Sequence, residues 1–236
     1  MSYLQLVFKA VLGTVLAWLP TSPEIALEEA YLFPIYVGVT FAGIFYFQRE
    51  IGLLPRDLIT RNERSWSKIF LYSSLFTLVI GYPLGETLGT LDVQTLIIAD
   101  VASGVVLLIL GTLKGALLNL PDDIKDFSLS FLVGTAQGLS SPGFSRGLTS
   151  LITASIIESD ARDAVRASLL ASPAYFALRA VLLKESGLVG IEGIIVSSVS
   201  FFLSLIIIHS LLKLAAYGKK FLGGYALISL ISILWR

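Results

Sequence analysis

Arg146 follows Ser145, lies between Gly143 and Gly147, and is followed one helical turn later by Ser150, in the stretch SSPGFSRGLTS (140–150). A guanidinium among hydroxyls binds phosphate or carboxylate oxygens through charge-assisted hydrogen bonds. The glycines allow close backbone approach. A helix starting near Gly147 would aim its free N–H groups at the same point. The spacing therefore predicts an anion site at Arg146, supported by Ser145 and Ser150. A second reading has Arg146 reaching to the membrane interface while the serines only cap a helix. The apolar sequence on both sides weighs on the choice. An arginine inside a membrane costs about 2.5 kcal/mol or more, so one at this depth is expected to have a function.

Carboxylates are the natural companions of such a site. Glu24, in LAWLPTSPE (16–24), is the first candidate for a general base or a metal ligand. Ser22-Pro23-Glu24 also reads as a helix start, with a capping serine, proline in the first turn and an acid beside it. Asp100 lies inside an apolar run and is a second candidate, at the substrate or as a partner of Arg146; bonding to a nearby Ser or Thr is the other reading. Glu28 and Glu29 are expected at the interface. His209, the single histidine, is expected to be structural or interfacial. With no cysteine and one histidine, disulfides, thiol nucleophiles and His/Cys metal centres are excluded. An oxygen-ligated Mg²⁺ or Ca²⁺, held by Glu24 and substrate phosphates, stays open.

The elements that position these residues follow from composition. Hydrophobic residues make up 55% of the 236 and charged ones 14%, against about 25% charged in soluble domains. The net charge of zero gives no sign of a nucleic-acid partner. Six runs are expected to span a membrane as helices: Ala30–Phe47, Lys68–Pro83, Val93–Leu113, Ala164–Leu183, Gly193–Leu212 and Lys220–Trp235. Met1–Leu19, with Lys9 at its centre, lacks the charge order of a secretory signal and is expected to stay in the mature chain.

Two regions do not fit spans. Ser2–Leu27 breaks at LPTSPE (19–24), and Phe127–Ile157 breaks at SSPGFSRG (140–147). Each is a short apolar arm, a Pro/Gly/Ser break and another short arm, which predicts two re-entrant hairpins. The order of hairpin and three spans then occurs twice, over about 1–113 and 127–236, within one membrane domain. Three is odd, so the second unit enters from the opposite side as an inverted repeat. Aligning Pro20 with Pro142 sets Glu24 opposite Arg146. Loop charges agree. Arg49, Arg56, Arg61, Arg64, Lys68, Lys114, Lys125, Arg162, Arg166, Lys213, Lys219 and Lys220 fall in alternate loops, whereas Leu84–Asp92 and Glu185–Glu192 hold no lysine or arginine. Basic loops mark the cytoplasmic side.

PGFSRGLTS followed by ESDARDAVRASLLASPAYF (158–176) resembles the second signature of the undecaprenyl-diphosphate phosphatases, the bacitracin-resistance family. LAWLPTSPE resembles the first signature, AYLFPIYVGVTFAGIFYFQREI (30–51) the span after it, and GKKFLGGYALISLISILW (218–235) the last span. The resemblance implies a multi-pass enzyme of the cell membrane that removes the terminal phosphate of a polyprenyl diphosphate and recycles the lipid carrier. It carries the phosphate-binding arginine to Arg146, its neighbour to Ser145, the family threonine to Ser150 and a first-motif serine to Ser22. It also shows departures. The two family glutamates fall on Gly13 and Ala17, and the family histidine on Ala26. A polyprenyl-diphosphate phosphatase is the first functional reading. A protein that binds or moves polyprenyl phosphate on the same scaffold, without hydrolysis, is the alternative. A homo-oligomer is left open.

Overall fold

The computed structural model describes residues 3–19, 26–60, 65–88, 92–113, 115–139 and 145–233, and among these every regular element is helical. Apolar sequence dictates this, because in hydrocarbon a backbone that satisfies its own hydrogen bonds is helix or closed barrel. The first arm is α1 (Tyr3–Trp18), followed by α2 (Glu29–Tyr46) and two short loop helices, α3 (Gln48–Gly52) and α4 (Leu54–Ile59). The next span runs as α5 (Trp66–Phe76), a π-helical turn (Thr77–Gly81) and α6 (Tyr82–Leu88), and α7 is Val93–Thr112. The second half holds α8 (Asp122–Gly138), α9 (Arg146–Ile157), α10 (Ala161–Leu182), α11 (Gly190–Ala215) and α12 (Lys219–Ile233).

Four helical stretches are long and apolar enough to cross a membrane: Glu29–Tyr46, Trp66–Thr87, Ala161–Leu182 and Gly190–Ala215. The boundaries expected for these four spans thus hold within a few residues, and Lys68–Pro83 is part of a longer helix. The apolar stretch in α7 is Ile97–Thr112, and α12 has 15 residues. At 16 and 12 residues, α1 and α9 are too short at 1.5 Å per residue to cross a core of about 30 Å.

Packing draws the two halves together. The helix α2 lies against α10 and α11, α1 against α11, α5 against α8 and α10, and α7 against α12, while α9 sits among α7, α8 and α10. Close approach needs small residues in a membrane. At Gly38 a Cβ would come within 2.3 Å of the Ser197 carbonyl on α11. The Ser197 hydroxyl donates to the Pro34 carbonyl (2.9 Å), which joins the same helices.

The basic loop is locked to the bundle. The Asp57 carboxylate accepts from Ser65 Oγ (2.6 Å) and Ser67 Oγ (2.7 Å), and the Ser65 N–H donates to Asp126 on α8 (3.1 Å). Arg166 on α10 pairs with Glu50 on α3 and lies 4.5 Å from the Trp66 ring centre. Glu28 is exposed and pairs with Lys9 at 2.8 Å. His209 is exposed, with Nδ1 3.4 Å from the Tyr46 hydroxyl.

Candidate functional site

The second break ends where α9 begins. Ser145 is its N-cap, with Oγ accepting the Leu148 N–H at 3.3 Å. The serine therefore does cap a helix, as the second sequence reading has it, but Arg146 does not reach for the interface. Its residue exposure is 7%. The guanidinium turns inward and donates from Nη1 to Gln137 Oε1 (2.8 Å) and Ser172 Oγ (2.6 Å), and from Nη2 to the Ala17 carbonyl (2.8 Å). Its carbon lies 4.4 Å from the Phe176 ring centre, 5.7 Å from Trp18 and 5.8 Å from Tyr175. Aromatic faces and neutral acceptors thus hold a buried cation.

Around this centre runs a buried polar network. Gln137 Nε2 donates to the Ser168 carbonyl (2.8 Å), and Ser172 Oγ donates to the same carbonyl (2.8 Å). Ser150 Oγ donates to the Arg146 carbonyl (2.9 Å) and lies 2.6 Å from Ser168 Oγ. Ser150 therefore supports the backbone of Arg146 rather than its guanidinium. Gln137, Ser168 and Ser172 are absent from the sequence reading. Their signal is a polar i, i+4 pair in an apolar span, together with an amide in the last turn before the break.

The ends of the two arms beside the breaks meet. Besides the bond from Arg146 to Ala17, the Tyr225 hydroxyl on α12 donates to the Trp18 carbonyl at 3.1 Å. Trp18 Nε1 donates to Ser204 Oγ on α11 at 2.8 Å. Gly147 is packed so closely that a Cβ there would meet the Tyr225 hydroxyl at 2.5 Å.

Asp100 is fully buried on α7 and accepts the Ser145 backbone N–H at 2.9 Å. It thus bonds to the residue beside Arg146, and the described bonds of the guanidinium go elsewhere. Glu24, Ser22 and Gly143 lie outside the described residues.

The positions of the missing family glutamates are filled differently. A Cβ at Gly13 would meet Leu27 Cδ1 and Ile35 Cδ1, each at 2.5 Å, so hydrocarbon occupies that space. Ala17 is buried and presents its carbonyl to Arg146. These two positions do not fit a divalent cation, and no cluster of three His, Cys, Asp or Glu occurs among the described residues.

What remains is a buried arginine at the start of α9, bonded to the last turn of α1. No curated protein matches the chain. The family model of bacitracin resistance protein BacA matches residues 8–230. The chain belongs to this family of membrane-integral undecaprenyl pyrophosphate phosphatases.

Proposed function

We propose that the protein binds the headgroup of a polyprenyl diphosphate at Arg146 in the cell membrane and hydrolyses its terminal phosphate. One observation carries this reading: Arg146 is buried, and its described partners are all neutral. A desolvated cation of this kind gains most from an anion it can reach. Among the described residues, Nε–H and the second Nη2–H are left for phosphate oxygens.

In this reading Arg146 neutralises charge on the phosphoryl oxygens, which is the main demand of phosphoryl transfer. A water attacks the terminal phosphorus directly, or Ser145 attacks it and a water then releases phosphate from the phosphoserine. The bond to the bridging oxygen breaks, and polyprenyl phosphate leaves. The proton of the nucleophile passes to a carboxylate, either Glu24 or Asp100. Asp100 has in its favour the bond to Ser145. Glu24 has in its favour its place in the first break.

The reading extends to six spans and two re-entrant hairpins in an inverted repeat. The packing supports it. Exchanging the halves maps the α1–α11 contact onto α8–α5 and α2–α11 onto α10–α5, and returns α2–α10 and α7–α12 to themselves. Each of these contacts occurs.

The filled niche at Gly13 favours a second reading, a polyprenyl-phosphate binder or transporter without hydrolysis. Phosphate release from undecaprenyl diphosphate by purified protein, with and without Mg²⁺ or Ca²⁺, separates the two. Release that is lost in Arg146→Ala supports the phosphatase. No release, with Arg146-dependent binding of undecaprenyl phosphate, supports the binder.

A further inference from the structure

We propose that Gln137 is a positioning residue for Arg146, one that fixes the guanidinium without neutralising it; the proposal rests on the reading of Arg146 as the phosphate ligand. Gln137 is fully buried in the last turn of α8, and its amide has only one sensible orientation. Nε2 faces the Ser168 carbonyl at 2.8 Å, which can only accept, so Oε1 faces the Arg146 Nη1–H at 2.8 Å. A flipped amide would set two acceptors against each other on one side and two donors on the other.

Ser172 completes the clamp with the same polarity. Its proton goes to the Ser168 carbonyl (2.8 Å), so its oxygen can receive the second Nη1 bond at 2.6 Å. Ala17 receives one bond from Nη2. The guanidinium plane is thus fixed by acceptors on α1, α8 and α10. A carboxylate at 137 could accept from Nη1 as well as the amide does. It would also pair with the cation and compete with phosphate for it, besides setting a second oxygen against the Ser168 carbonyl. A neutral amide gives orientation and leaves the charge for the ligand.

The test is a double-mutant cycle on the full-length protein, read as the Kd for undecaprenyl phosphate, with thermal stability measured in parallel. Gln137→Met keeps length and apolar volume but removes the acceptor. It is expected to weaken binding by about tenfold or more beside Arg146, and by much less in an Arg146→Lys background, where there is no fork to orient. Gln137→Glu is expected to weaken binding at least as much as Gln137→Met. Should Gln137→Met fail to fold, Ser172→Ala runs the same cycle on the other Nη1 acceptor. Unchanged binding in the folded variant, or equal losses in both backgrounds, overturns the positioning role. Unchanged binding in Arg146→Ala overturns the reading of Arg146 beneath it.

Discussion

Nη2 of Arg146 donates to the main-chain carbonyl of Ala17 at 2.8 Å, joining positions 129 residues apart. Ala17 belongs to the last turn of α1, where carbonyls seek partners outside the helix and the helix dipole favours a cation. The arginine of the second half thus completes an element of the first. One charge links α9 to the end of α1.

That charge needs its planar form. Arg146→Lys keeps a cation but cannot serve Gln137, Ser172 and Ala17 and still hold phosphate. Affinity for undecaprenyl phosphate is expected to fall by about tenfold or more in Arg146→Lys, and further in Arg146→Ala. Lipid titration of the purified variants measures both. Wild-type affinity in Arg146→Ala would remove the anion site.

Gly147→Ala places a methyl group where the Tyr225 hydroxyl lies, 2.5 Å away. Overpacking of this kind costs about 1–3 kcal/mol. Tyr225→Phe removes the clashing oxygen along with its bond to Trp18. The alanine is therefore expected to cost less stability in the Tyr225→Phe background than in the wild type. Melting of the wild type and the three variants in detergent reads the difference, and equal costs in both backgrounds would place the strain elsewhere.

Glu24→Gln preserves shape and most of any capping while removing the charge. It is expected to reduce turnover strongly and leave lipid binding largely intact, with helix stability changed by no more than about 1 kcal/mol. Asp100→Asn keeps an oxygen for the Ser145 N–H and is the matched control. Turnover kept in Glu24→Gln and lost in Asp100→Asn would move the acid to α7.

The loop lock has its own pH signature. Hydrogen bonds from Ser65 first and Ser67 second hold the Asp57 carboxyl below the usual carboxylate range. A carboxyl lowered by folding stabilises fully above its unfolded value, about 3.9, and the contribution is lost as pH falls through the lower folded value. The Asp57-dependent part of stability is therefore expected to stay constant from neutral pH down to about 4 and to fade only below. Thermal melts of wild type and Asp57→Ala against pH test this. A gap that closes between pH 7 and 5 would contradict it.

Helix identities, and the ends of α1 and α8 ahead of the prolines, could be read in the sequence because charge and proline are costly in apolar runs. The cap at Ser145 belongs to one of the two sequence readings, and the burial of Arg146 decides against the interfacial arginine of that same reading. Gln137 and Ser172 could not be assigned in that way. They stand 9 and 26 positions from Arg146, and nothing local marks their meeting. The loss of acids at Gly13 and Ala17 was plain in the sequence. That Leu27 and Ile35 fill the space at Gly13 depends on packing among α1, α2 and the residues between them. Glu24, Ser22 and Gly143 fall outside the described residues, so their part in the site rests on sequence.

The π-helical turn at Thr77–Gly81 carries an extra residue within its helix. One residue corresponds to about 100° of rotation in an α-helix, so everything after the turn is rotated by roughly that much. The rotation brings Gly85 against the Gly138 carbonyl, where a Cβ would lie 2.4 Å away, while Gly81 meets the Thr135 carbonyl at 2.6 Å. Thr77 marks the same seam, with Oγ1 donating to the Gly134 carbonyl at 2.9 Å. The span is therefore sensitive to length as well as to residue type. Deleting one residue between 77 and 81 would restore an uninterrupted α-helix and swing Gly85 away from α8, bringing a side chain onto the seam. A change of length at this turn should therefore loosen the packing against α8, even though the span carries no residue that touches the arginine.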